Sequence, residues 1–190
     1  MHNKWLSMSV GEKEKLLEQI EKTAQYYEEE YGGCARNTLA AIQKHLGLCE
    51  EDKFHRVFQA TDALTGGVGY HQKMCAAAIA GVMAISLIYG PDKMEQLLPQ
   101  EDPTPSEAML RHREAVERSH DFVRRFEKAF HGMTCKEIQH KVTGRYWDMR
   151  NKEELALFIK KPYHDQCGRV TGKAARLAVE VILEPQERYL

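Results

Sequence analysis

One segment of the sequence limits the fold more than any other. From Met74 to Tyr89 the chain is apolar on nearly every side of a helical turn, and Gly90 and Pro91 end the segment. A helix that is apolar all round is typical of the interior of a domain. The segment is shorter than the roughly 20 residues that span a bilayer. We therefore predict a buried helix at about residues 72–89, at the centre of the fold, and no stable membrane insertion.

The rest of the sequence carries helix signals and almost no alternation of the kind that marks strands. Ser9 with Glu12 and Thr134 with Glu137 have the pattern of capping boxes. Apolar residues between glycine breaks recur at helical spacing. The sequence therefore predicts an all-α protein, a multi-helix bundle around the central apolar helix. The prolines within 91–105 predict an irregular excursion inside a single domain that covers residues 1–190.

Charge and composition exclude some classes of function. The chain has 27 basic and 28 acidic residues and a net charge of -1, which argues against bulk electrostatic binding of nucleic acid. No apolar leader of the secretory kind is visible near the start, so we expect a cytoplasmic protein whose thiols are kept reduced. Arginines between Ser106 and His131, including Arg118, alternate with acidic residues. This pattern predicts a solvated helix face with ion pairs.

The cysteines carry the strongest functional signal. The chain has five cysteines and no CxxC pair, so the commonest zinc-finger and thioredoxin-like signatures are absent. Four of them fall at predicted helix starts, where unpaired N–H groups and the helix dipole favour thiolate over thiol. Thiolate is the form that attacks disulfides and binds soft metals. We call these four the candidate cysteines: Cys34, Cys75, Cys135 and Cys167. Cys49 follows the helix-ending Gly47, and we interpret it as incidental.

The surroundings of the candidate cysteines resemble a known family. A glycine-rich loop, 66–69, precedes Cys75, the segment 126–138 surrounds Cys135, and an amphipathic helix follows Cys167. The order and spacing of these cysteines and their surrounding segments resemble those of the redox-active family whose pattern is written C–GCAxxG–C–C. The resemblance covers a core of about residues 33–184 and leaves residues 1–31 as an N-terminal helical extension. It implies that the candidate cysteines form one site, with electron transfer or thiol redox chemistry.

The chain departs from the family pattern at one motif. The glycines of that motif are absent next to Cys75: Ala76, Ala77, Ala78, Ile79 and Ala80 follow it, and the next glycine is Gly81. The geometry next to Cys75 is therefore expected to differ from that of the family.

Three functions remain open from the sequence. The first is electron transfer through an iron–sulfur cluster or another thiophilic metal bound by the four thiolates, with an unidentified donor or acceptor protein. The second is thiol–disulfide redox chemistry without a metal, as in an oxidoreductase. The third is a non-catalytic helical interaction domain with structural cysteines. His71, His131 and His164 precede three of the candidate cysteines and are candidate ligands or proton partners. A homodimer is left open.

Overall fold

The computed structural model describes residues 5, 7–93, 105–160 and 163–189. These residues form eight α-helices and no strand, which confirms the all-α prediction. The helices are α1 (Val10–Tyr31), α2 (Cys34–Leu46), α3 (Glu51–Ala60), α4 (Ala76–Tyr89), α5 (Glu107–Phe130), α6 (Cys135–Thr143), α7 (Lys152–Phe158) and α8 (Tyr163–Ile182), with short 3-10 turns at Asp62–Leu64 and Gln186–Arg188. Most of the expected excursion, residues 94–104, lies outside the described residues.

Helix capping sets several boundaries as the sequence predicts. The Ser9 side chain accepts from the Glu12 N–H and the Glu12 carboxylate accepts from the Ser9 N–H, so α1 begins at a capping box. Thr134 and Glu137 form the same arrangement at the start of α6. Each box pairs N–H groups that the helix itself leaves without partners. The structure thus fixes Cys135 as the first residue of α6.

The apolar helix α4 packs against α2, α5 and α8. It begins at Ala76, four residues later than predicted, because the preceding segment is extended. Its alanine-rich side is buried, but Val82 and Met83 are only partly buried and Ser86 is exposed. The central position of this helix therefore stays a prediction.

The N-terminal helix α1 packs closely against α8. A Cβ atom added at Gly172 would lie 2.7 Å from the Glu21 carbonyl oxygen, and one added at Gly168 would lie 2.8 Å from Cγ of Glu29. Glycine at these two positions lets the helices approach to a distance that any side chain would prevent. Ile20 of α1 is fully buried in the main hydrophobic core.

Arg118 corrects one prediction from the sequence. It was expected on a solvated face, but only 1% of its surface is exposed. Its guanidinium pairs with Glu114 at 2.8 Å and lies between the rings of Tyr89 and Tyr189, 4.0 and 4.3 Å from their centroids. It also donates to the Val181 carbonyl oxygen at 2.7 Å. The charge pattern of one helix cannot predict this burial, because Tyr89 and Tyr189, which cover Arg118, belong to other segments.

The described residues include no helix with the length and apolar character needed to cross a membrane.

Candidate functional site

One pocket collects all four candidate cysteines. It is a cavity of about 130 Å³ whose lining includes Cys34, Cys75, Cys135 and Cys167. Cys34 is the first residue of α2, Cys75 immediately precedes α4, Cys135 begins α6 and Cys167 lies on α8. Four separate elements therefore each contribute one thiol to the same space, which we call the thiol pocket. Cys49 is not among the residues that line it.

A short extended pairing joins two of the thiols. Met74 and Thr134 form an isolated antiparallel bridge. The Cys75 N–H donates to the Met133 carbonyl oxygen at 2.8 Å, and the Cys135 N–H donates to the Lys73 carbonyl oxygen at 2.6 Å. Since successive side chains of extended chains point to opposite faces, Cys75 and Cys135 share the face opposite to Met74 and Thr134. They are diagonal neighbours across the pairing.

A glycine-rich loop holds the chain against Cys135. Residues 66–70 all have φ between 58° and 73°, a left-handed conformation that is unfavourable for residues with a Cβ. Gly66 and Tyr70 line the thiol pocket. A Cβ at Gly67 would lie 2.7 Å from the Cβ of Cys135. Glycine at position 67 is therefore required by both its φ of 73° and its closeness to the thiol.

Cys167 does not lie in the first turn of its helix as predicted. The helix begins at Tyr163 among the described residues, so Cys167 is at its fifth position. The influence of the helix dipole falls off within the first turn. The expectation of a helix-start thiol is wrong for this cysteine, although its side chain still lines the pocket.

The environment of the pocket favours thiols over thiolates, which corrects a second expectation. Burial raises the pKa of Cys135 to about 12 and raises the pKa values of Cys34 and Cys167 well above their usual range. The charge of Glu28 acts in the same direction on each of them. Desolvation of the charged form therefore outweighs the helix-start effect on which the sequence argument depended.

Cys75 differs from the other candidate cysteines because backbone N–H groups oppose the effect of burial on its pKa. Burial raises its pKa, while the nearby Ala78 and Ala77 N–H groups act to lower it. Cys75 occupies the N-cap position of α4, without a side-chain capping hydrogen bond, and the first N–H groups of a helix have no partner within it. Of the four, Cys75 has the best local support for a thiolate.

Glu28 is a site residue that the sequence argument missed. It lies on α1, lines the thiol pocket, and has 4% of its surface exposed. Its Oε2 accepts from Nδ2 of Asn37 at 2.8 Å, and its Oε1 lies 3.7 Å from Nε2 of His164. Burial raises the pKa of Glu28 to about 7, against the hydrogen bond from Asn37 and the charge of Arg36. The signal in the sequence was its position four residues after the buried Ala24.

The three candidate histidines occupy different environments. His164 lines the thiol pocket beside Glu28. His71 and His131 are exposed and are not among the lining residues.

The described side chains of the pocket do not form a metal site in this arrangement. Within the described part of the chain, no three His, Cys, Asp or Glu side chains are grouped so that they could hold a metal ion. The four thiols share a pocket, but as placed they do not fit the closed tetrathiolate site that the resemblance suggested.

The described residues thus combine an all-helical fold with four thiols on one pocket. Residues 33–181 match the family described as "Putative redox-active protein (C_GCAxxG_C_C)", and the chain belongs to this family. The matched residues include all four candidate cysteines and exclude Glu28. No curated protein and no solved structure matches the chain significantly.

Proposed function

We propose that the chain is a thiol redox protein in which Cys75 and Cys135 cycle between two thiols and a disulfide. The observation that carries the proposal is the pairing of their two segments, which puts both side chains on one face. Diagonal neighbours across antiparallel strands are about 7–8 Å apart, and a disulfide needs Cα atoms within about 7 Å. A small movement of the loop before Cys75 would therefore join the sulfurs.

The reaction balances with an organic disulfide as the co-reactant. Cys75 attacks one sulfur of the organic disulfide, which forms a mixed disulfide and releases one organic thiol. Cys135 then attacks the Cys75 sulfur and releases the second organic thiol. Two protein thiols and one disulfide become one protein disulfide and two thiols, and the reduction potentials decide the direction. Cys75 is the attacking residue because the Ala77 and Ala78 N–H groups at the start of α4 partly oppose the rise in its pKa that burial causes.

The pocket fits an uncharged substrate of modest size. Its lining is mainly apolar and includes Ala77, Ile138, Met149 and Phe158. The charged groups on it are few, and a carboxylate at Glu28 would repel an anion. An organic disulfide without charges would therefore enter more readily than an acidic one.

A metal or iron–sulfur centre that transfers electrons to a partner protein is the alternative. It would need at least three of the thiols to move into a common ligand geometry, since the described residues contain no such group. A purely structural role suits the thiols less well, because three of the four are only partly buried and all four face a cavity.

The test combines metal analysis with thiol counting. The protein is purified without oxygen, its absorbance and its iron, zinc and sulfide contents are measured, and free thiols are counted before and after treatment with an uncharged organic disulfide. We expect no stoichiometric metal, and the loss of two thiols in the wild type and in Cys49→Ser. Cys75→Ser should form no internal disulfide, so no pair of thiols should be lost in that variant. Stoichiometric bound metal, or equal losses in all three proteins, would overturn the proposal.

A further inference from the structure

Glu28 lies among the candidate cysteines without an assigned role. It belongs to α1, outside the residues that match the family. It lines the same pocket as all four thiols. A carboxyl group with this little exposure is unusual unless it is paired or protonated, and the closeness of α1 to α8 at Gly168 and Gly172 fixes its position.

The groups that face Glu28 come from each neighbouring element. From α2, Asn37 donates to Glu28, and the charge of Glu28 interacts with Cys34 and Arg36. From α8, the groups are His164 and Cys167. Cys75 and Cys135 line the same pocket from the paired segments, and the charge of Glu28 raises the pKa of each. Asn37 is the hydrogen-bond donor to one carboxylate oxygen, and the other oxygen points towards His164 at a distance too long for a hydrogen bond. One oxygen is thus bound by Asn37, and the other lies within ion-pair distance of His164.

We propose that Glu28 is the base that accepts the proton of the attacking thiol in this pocket and returns it to the departing organic thiolate. The inference rests on the proposed thiol–disulfide function. In the first step the Cys75 proton passes to the Glu28 carboxylate as the sulfur attacks. The carboxylic acid then gives that proton to the organic thiolate that leaves. The same two transfers accompany the attack by Cys135, so Glu28 is unchanged at the end.

Such a base is needed because the pocket keeps its thiols protonated. The thiol, unlike the thiolate, is a poor nucleophile, and burial raises the pKa values of all four candidate cysteines. The pKa of Glu28, raised to about 7, is suited to proton exchange near neutral pH.

Two roles for Glu28 predict opposite effects of removing its charge. If Glu28 is a base, Glu28→Gln should slow attack by the pocket thiols. If it is only a buried charge, the same change removes a group that raises the thiol pKa values, so attack should become faster.

The experiment measures disulfide formation with an uncharged organic disulfide, and alkylation of Cys75 by iodoacetamide, across neutral pH. Glu28→Gln is compared with the wild type and with Glu30→Gln, a change of an exposed carboxylate on the same helix. We expect disulfide formation in Glu28→Gln to be at least about tenfold slower than in the wild type near pH 8. The wild-type rate should increase as Glu28 loses its proton near pH 7, and this increase should be absent from Glu28→Gln. Glu30→Gln should match the wild type. Glu28→Asp should recover part of the rate.

The failures of the two proposals are distinguishable. If the wild type forms no internal disulfide, the proposed function is wrong. If the wild type forms it and Glu28→Gln, folded by circular dichroism, is equally fast or faster, only the role of Glu28 is wrong. If Glu28→Gln does not fold, Glu28→Asp decides between the two roles. Aspartate has a shorter side chain, so a base that must be positioned should work less well in this variant. A rate and pH profile equal to those of the wild type would therefore contradict the role of Glu28 as a base.

Discussion

Replacing Glu28 with glutamine should change how stability depends on pH. The folded protein holds the pKa of Glu28 at about 7, against a usual value of 4.5, chiefly because the side chain is buried. Between these pH values the folded state binds a proton that the unfolded state has released. The free energy of unfolding therefore decreases as the pH rises through this window, and the decrease is complete above the folded pKa.

The magnitude follows from the shift. Since one pKa unit corresponds to about 1.4 kcal/mol, the whole change is about 3 kcal/mol, and about 2.5 kcal/mol of it falls between about pH 5 and about pH 8. Glutamine keeps the volume and an oxygen that can accept from Asn37, but it does not titrate. The free energy of unfolding of Glu28→Gln should therefore rise by about 2.5 kcal/mol relative to that of the wild type between about pH 5 and about pH 8.

Urea unfolding of reduced protein, followed by far-UV circular dichroism, measures the difference at both pH values. Titrating groups far from Glu28 occur in both proteins and cancel in the comparison. Glu30→Gln serves as the control and should show no pH-dependent difference, because Glu30 is exposed. If the difference between Glu28→Gln and the wild type is the same at both pH values, the burial of an ionisable Glu28 is refuted.

Two further changes test the packing between the helices. Gly172→Ala should lower stability by about 1 to 3 kcal/mol through overpacking against the Glu21 carbonyl, although alanine is the better helix former. Gly11→Ala is the control, because nothing lies within 4 Å of the new Cβ, and this change should be neutral or stabilising. Thermal unfolding followed by circular dichroism measures both glycine variants. Arg118→Ala should cost about 3 to 5 kcal/mol because it leaves Glu114 buried without its partner. Arg113→Ala, on the exposed side of the same helix, should change the urea midpoint little; equal effects of the two arginine changes would contradict the buried pair.

The sequence predicts the parts of the site that local rules control. The capping box at Thr134 places Cys135 at a helix start, and Gly33 precedes Cys34 at another. Both positions depend on residues within one helical turn. The all-helical class follows in the same way, from periodicity along single segments.

Long-range features could not be predicted by the same rules. The pairing of Met74 with Thr134 joins segments 60 residues apart, and nothing local marks the residues before Ala76 as extended. Glutamate is usually found on the surface, and only the position of Glu28 four residues after the buried Ala24 indicates that it is buried. The thiol pKa values depend on burial by other helices, so the sequence argument, which considered only the helix dipole, gave the wrong direction.

The central claim is that Cys75 and Cys135 are the pair that cycles. Peptide mapping by mass spectrometry, after oxidation with an uncharged organic disulfide and blocking of the remaining thiols, measures this directly. The account predicts a Cys75–Cys135 link that reductant reverses, with Cys49 recovered as a free thiol. A reversible link between other cysteines, or all four candidate cysteines recovered unlinked from protein that retains a bound metal, would contradict it.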